Sequence, residues 1–178
     1  NGFVNIDNEK MSKSLGNFFT IREVLERFSG EAIRYFLLTT HYRAPINFSD
    51  APLIEAADRI VYLYETLARA DEGMTSGNPE LEPLELVAEL QLSHRLEQAL
   101  CEDLNTCKVL ALLSDALRTI NALAEQPPAT KAERKRVPAS LRALRQELEP
   151  VLSVLGIGES DPQRWLDARR DQQAEARG

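Results

Sequence analysis

The sequence predicts a mainly α-helical chain in which a short strand-and-loop segment precedes an antiparallel helix bundle. Three observations carry this. Beyond Thr20, apolar residues recur at helical spacing over most of the 178 residues. The separators between these runs are short, which favours neighbouring helices packed side by side. Strand-type patterning is confined to the first few residues. With 43% apolar and 28% charged residues the chain can bury a core, and its length suits one compact domain or two small ones.

Gly2-Phe3-Val4-Asn5-Ile6-Asp7 combines β-branched and aromatic residues with a following turn, which predicts a short strand. One strand is not a sheet, so its partners are expected upstream, outside this sequence. Lys10 to Asn17 has no regular period and reads as a loop. Thr20, with Glu23 three residues on, forms a capping-box signature for a helix whose apolar face is Ile21, Val24, Leu25 and Phe28. Ser29-Gly30 ends it, and Ala32 to Leu38 predicts a second, more deeply buried helix. His41 to Phe48 reads as a loop pinned by Pro45, and Ser49 opens the next helix. Long amphipathic helices are then expected over about 50–72, 83–101, 106–125, 138–156 and 161–176. Pro150 is expected to kink the fourth of these or end it near Glu149. Leu84, Val87, Leu90 and Leu96 are read as core.

Formal charge is −7, which argues against a general nucleic-acid coat. The balance is uneven: residues 1–126 carry 11 basic and 20 acidic side chains, residues 127–178 carry 10 and 8. Contact with a polyanion would therefore be local. No apolar run approaches the roughly 20 residues needed to span a bilayer. The chain starts at Asn1 with no signal-like layout and reads as cut from a longer protein. Cys101 and Cys107 are too few for a disulfide framework and suggest a reducing, cytoplasmic setting.

One motif demands chemistry. Lys10-Met11-Ser12-Lys13-Ser14 places two ammonium groups and two hydroxyls within five residues, followed by Gly16. A mobile loop of this kind can fold over a triphosphate and offset charge on its non-bridging oxygens. A solvated basic loop is the alternative, and its position between a strand and a helix favours the phosphate reading.

Lys10 to Ser14 resembles the second signature of class I aminoacyl-tRNA synthetases. Asn1 to Val4, Glu31 to Leu38, His41 to Ser49, Glu102 to Thr106 and Ser114 to Asn121 are similar to the cysteinyl-tRNA synthetase family, down to an Asp115-Ala116-Leu117-Arg118 tetrapeptide. The resemblance implies the end of a Rossmann-type catalytic domain followed by a DALR-type bundle: 1–48 with the phosphate loop and stem-contact segment, 49–158 the bundle, and 159–178 a final helix or linker towards a missing anticodon-recognition module. It implies that L-cysteine is activated with ATP and Mg, then passed to tRNA(Cys). Lys13 is then the expected catalytic ATP contact and Lys10 the second, with Met11, Ser12 and Ser14 shaping the loop. The family's zinc ligands and its paired-histidine signature are expected outside this sequence, so the isolated segment is expected to be inactive. A monomer with no membrane association is implied. The related cysteine ligase of mycothiol synthesis and a stand-alone helical binding module are the rival readings.

Weaker constellations keep two readings each. His41-Tyr42-Arg43 either supports the phosphate loop or tRNA stem, or serves structure alone with Arg43 on a carboxylate. Lys131, Arg134, Lys135 and Arg136 form a basic run in the expected linker, either for tRNA phosphates or simply solvated. Trp165 is either a hydrophobic anchor or a base-stacking platform. Cys101, Cys107, His41 and His94 are too scattered to predict a metal site here.

Overall fold

The computed structural model describes residues 4–6, 9–12, 20–75, 78, 81–126 and 128–175. Three short strands, β1 (Val4–Ile6), β2 (Glu9–Lys10) and β3 (Ile46–Phe48), form a sheet of order β2-β1-β3. β1 pairs antiparallel with β2 and parallel with β3, in the register Val4↔Ile46 to Ile6↔Phe48. The expectation that β1's partners lie upstream is thus corrected, since two lie within the chain. The loop expected over 41–48 ends in a strand. Ile46-Asn47-Phe48 alternates apolar and polar, but three residues after a proline are too few to register as a strand without their neighbour.

Between β1 and β3 stand α1 (Ile21–Leu25) and α2 (Gly30–Leu38), and β3 runs directly into α3 (Asp50–Met74). The Thr20 capping box is present: the Glu23 amide donates to the Thr20 hydroxyl at 3.3 Å and the Thr20 amide to the Glu23 carboxylate at 2.6 Å. Only Val24 of the expected α1 face is buried, while Ile21 and Leu25 are 72% and 50% exposed. Likewise α2 buries only Ala32 and Phe36 and leaves Leu37 exposed, less than its apolar content predicts. Ser49 sits at the N-cap of α3 without a side-chain cap bond.

Two helices replace the single one expected over 83–101: α4 (Glu85–Leu90) and α5 (Leu92–Cys101), broken at Gln91 with φ of 44°. The break re-phases the stripe. Leu84 and Val87 share one face, but the next core residue, Leu92, falls five positions on, and the left-handed residue turns Leu92, Leu96 and Ala99 inward. α6 (Thr106–Glu125) matches the expected bounds, and α8 (Pro162–Glu175) nearly so. α7 (Lys131–Leu155) begins seven residues earlier than expected, because the Thr130 hydroxyl accepts from the Glu133 amide at 3.2 Å and starts the helix there. The basic run therefore lies on a helix, not a linker. Pro150 neither ends α7 nor stops it short of Leu155. The carbonyl it leaves without a helical partner is that of Gln146, an exposed residue that water can reach, while Leu148, Val151 and Leu152 hold both sides of the proline in the core. Gly156 ends the helix with φ of 64°, and the Ile157 amide donates to the Leu152 carbonyl at 3.1 Å.

α3 is the central element. It packs on α2, α6, α7 and α8 through Leu53, Ile60, Leu63, Tyr64 and Leu67, all fully buried. α7 runs against it, as the Arg142 to Met74 carbonyl bond and the Arg145–Asp71 pair show. α6 runs alongside it in the same direction, joined by Asn121, whose amide donates to the Tyr62 and Thr66 hydroxyls at 2.8 and 2.9 Å. Trp165 stacks on Tyr64, ring centroids 4.1 Å apart, and so anchors α8. No helix among the described residues is long and apolar enough to cross a membrane.

Candidate functional site

The Lys10–Ser14 motif emerges from a β-hairpin. β2 folds back on β1, so Lys10 lies opposite Asn5, and the Met11 amide donates to the Val4 carbonyl at 3.1 Å. The motif thus starts beside the first residue of β1 rather than beyond its last. Met11 and Ser12 are half-buried. Lys13, Ser14 and the rest of 13–19 lie outside the described residues. At the far end, the Thr20 capping box fixes the start of α1. The segment carrying Lys13 is therefore held at both ends by backbone structure: a strand pair before it and a capped helix after it.

A concavity of about 450 Å³ lies beside the ends of β1 and β3, lined by Ile6, Phe48, Val24, Phe28, Arg27 and Asp50 among others. Arg27 donates to Asp50 at 2.6 Å across its rim, which holds the Asp50 carboxyl below and the Arg27 guanidinium above their usual ranges. The pair links the turn after α1 to the start of α3.

Arg43 is engaged. Its Nη2 donates to Asp103 Oδ1 at 2.9 Å and its Nε to the Tyr42 hydroxyl at 2.8 Å, while its side chain stays 66% exposed. Of the basic run, Arg134 donates to the Ala129 and Thr130 carbonyls, and Arg136 donates to the Glu82 and Pro83 carbonyls. Both brace the segments before α7 and α4. Lys131 and Lys135 are exposed on the first turns of α7.

The structure does not bring these two sets together. β3 enters α3 at its first residue, whereas the start of α7 lies beyond the other end of α3, past Met74. With 25 residues, α3 spans about 37 Å. Any single ligand touching both ends must be an extended macromolecule. Sequence reasoning missed Asp103, Tyr42's partner across the fold; the Asp-Leu-Asn-Thr joint carried no signal of that contact.

No three His, Cys, Asp or Glu side chains among the described residues gather as a metal-binding set. The zinc implied by the resemblance finds no donor set among them. Cys101 is exposed and Cys107 is half-buried, its thiol donating to the Thr39 carbonyl at 3.2 Å.

Residues 1–58 match the tRNA synthetases class I (C) catalytic domain, and residues 95–158 match the DALR domain. The cysteine–tRNA ligase of Anaeromyxobacter dehalogenans (strain 2CP-1 / ATCC BAA-258) is 46% identical over 178 residues, which is 100% of this chain and 35% of that protein. That of Trichlorobacter lovleyi is 42% identical over 180 residues, 98% of this chain and 36% of the relative. The chain thus spans about a third of the length of the curated relatives it matches. Among solved structures, the ternary complex of Agrobacterium radiobacter K84 agnB2 LeuRS-tRNA-LeuAMS aligns with a TM-score of 0.61 at 24% identity, covering 90% of this chain and 22% of that one, a likeness of fold. A mycothiol-type ligase is not favoured beside these relatives.

Proposed function

Since the chain belongs to the cysteine–tRNA ligase family, carrying the end of the class I catalytic domain and the DALR domain after it, we propose that it serves a protein that activates L-cysteine with ATP and transfers it to tRNA(Cys). The observation that carries this reading is the Lys10–Ser14 motif, intact in the sequence and beginning in β2 of the β1–β2 hairpin, with the capped start of α1 following at Thr20.

In the first step a carboxylate oxygen of cysteine attacks the α-phosphorus of ATP, and the bond to pyrophosphate breaks. In the second, a hydroxyl of the tRNA's terminal ribose attacks the acyl carbon and AMP leaves. Lys13 offsets the charge that builds on the phosphate oxygens, and Lys10 is the second phosphate contact. Met11, Ser12 and Ser14 shape the loop. Mg bound to the ATP phosphates would shield part of their charge. The division of labour we infer runs 1–48 for the phosphate loop and stem contact, 49–158 for the bundle, and 159–178 for the final helix. Arg43, Lys131, Arg134, Lys135 and Arg136 are read as weak tRNA-backbone contacts, the exposed Lys131 and Lys135 foremost. The whole protein is read as a cytoplasmic monomer.

Pyrophosphate exchange dependent on cysteine tests the assignment. In the complete protein Lys13→Ala is expected to slow exchange by about 10²–10³, the scale for loss of one transition-state donor, with an unchanged unfolding midpoint. An unaltered rate rejects the role of Lys13. For the second step, Lys131→Ala and Lys135→Ala are each expected to lower the salt slope of tRNA binding by about 1, measured by titration across ionic strengths.

A further inference from the structure

The turn joining α5 to α6 reaches back to the sheet segment. Among the described residues only Gln91, Asp103 and Leu104 are non-glycine residues with positive φ, and two of them, at 52° and 53°, stand side by side in this turn. Such backbone is costly for residues other than glycine and persists where the surroundings over-determine it. Here they do. Asp103 Oδ1 accepts from the Tyr42 hydroxyl at 2.8 Å and from Arg43 Nη2 at 2.9 Å, and His41 Nε2 lies 3.7 Å from Oδ2. His41 stacks on Tyr42 with centroids 4.9 Å apart. Just beyond the turn, the Thr106 hydroxyl donates to the Leu38 carbonyl at 2.9 Å and the Cys107 thiol to that of Thr39. The end of α2 and the loop after it are therefore held by one short stretch of the bundle.

That loop leads, three residues past Arg43, into β3. β3 is in parallel register with β1, and β1 carries Lys10 and Met11 through its pairing with β2. We infer that Asp103 is a positioning residue: by gripping Tyr42 and Arg43 it sets where β3, and with it β1 and the base of the Lys10–Ser14 loop, lie against the bundle. The Asp103 and Arg43 side chains are both well exposed, so a single ion pair between them is worth little. The grip comes from three groups converging on one carboxylate together with the two bonds to the end of α2. Its consequence for ATP rests on the ligase reading; the geometric part does not.

Amide hydrogen exchange on the full chain tests the geometry, comparing the parent with Asp103→Ala, Tyr42→Phe and the control Asp115→Asn, whose ion pair with Arg118 stays within α6. Asp103→Ala is expected to speed exchange about tenfold in β1, β3 and at Met11, as a local opening does, while α7 and the control keep the parent rates. Unchanged exchange in β3, or an increase spread evenly over every helix, overturns the inference. Should Asp103→Ala fail to fold, Tyr42→Phe, which keeps the ring on His41 and removes one donor, is expected to give the same pattern at about twofold.

In the complete protein Asp103→Ala should raise KM for ATP severalfold and leave KM for cysteine near that of the parent. Asp103→Asn, which keeps an acceptor for Tyr42 and Arg43, should recover most of the loss. If Asp103→Ala loosens β1 and β3 but the complete parent protein shows no cysteine-dependent pyrophosphate exchange, the positioning stands and the ligase reading falls. If Lys13→Ala slows exchange while Asp103→Ala changes neither amide protection nor KM for ATP, the positioning falls and the ligase reading stands.

Discussion

Asp103 and Asp71 are carboxylates driven in opposite directions by folding. The hydrogen bond from Tyr42, with that from Arg43, holds Asp103 below the usual carboxylate range. Its contribution to stability is therefore present above the unfolded value and is lost as pH falls through the lowered folded one. Burial raises Asp71 despite the Arg145 guanidinium 3.4 Å away. Its contribution has the reverse sign: present in acid and lost as pH rises through the folded value. Relative to the parent, Asp71→Asn should thus gain stability and Asp103→Asn should lose it as pH climbs from about 3 to about 6. Urea midpoints at several pH values read both trends, and parallel curves for the two variants would contradict them.

α7 shows how an element tolerates residues that normally break it. Pro138 and Pro150 lie within its 25 residues. The proline at 150 is exposed while the leucines around it are buried, so tertiary burial outweighs one lost backbone bond. Pro150→Ala should accordingly stabilise the chain by about 2 kcal/mol, the interior-proline penalty less the freedom restored to the unfolded state. The helix end behaves differently. Gly156 is left-handed, and a Cβ there would meet the Arg34 guanidinium. Gly156→Ala is expected to cost ~1–2 kcal/mol for the backbone alone, readable as a lower thermal midpoint, and an unchanged midpoint would refute that account.

Across the molecule the larger apolar core is continuous from Ala32 in α2 to Ile157 after α7. The helix that follows β3 is also the centre of the bundle, so the sheet segment and the bundle share α3. Glu31, at the start of α2, accepts from both the Tyr64 hydroxyl at 2.9 Å and the Gly158 amide at 2.7 Å, tying the two regions again. A single cooperative transition follows. Leu67→Ala, at a fully buried site, should lose about 2–5 kcal/mol. Because Trp165, the sole tryptophan, rests on Tyr64, its fluorescence should shift together with helical circular dichroism. Separate transitions by the two probes would mean that α8 unfolds independently.

Helix existence, the Thr20 cap and the bounds of α6 were all readable along the chain, because each depends on residues within about one turn of one another. The same Thr-x-x-Glu signature stands at Thr130 to Glu133, where the Thr130 hydroxyl accepts from the Glu133 amide and α7 starts. Three features depended on partners distant in sequence. β3 is a strand only because β1 lies beside it. Gln91 adopts its left-handed backbone because core contacts on both sides demand a change of phase. Asp103 gains its partners only when the α5–α6 turn folds onto residues some 60 positions away. Local periodicity reports which side of a helix seeks burial; it carries no information about which surface answers it, and that choice belongs to packing in three dimensions.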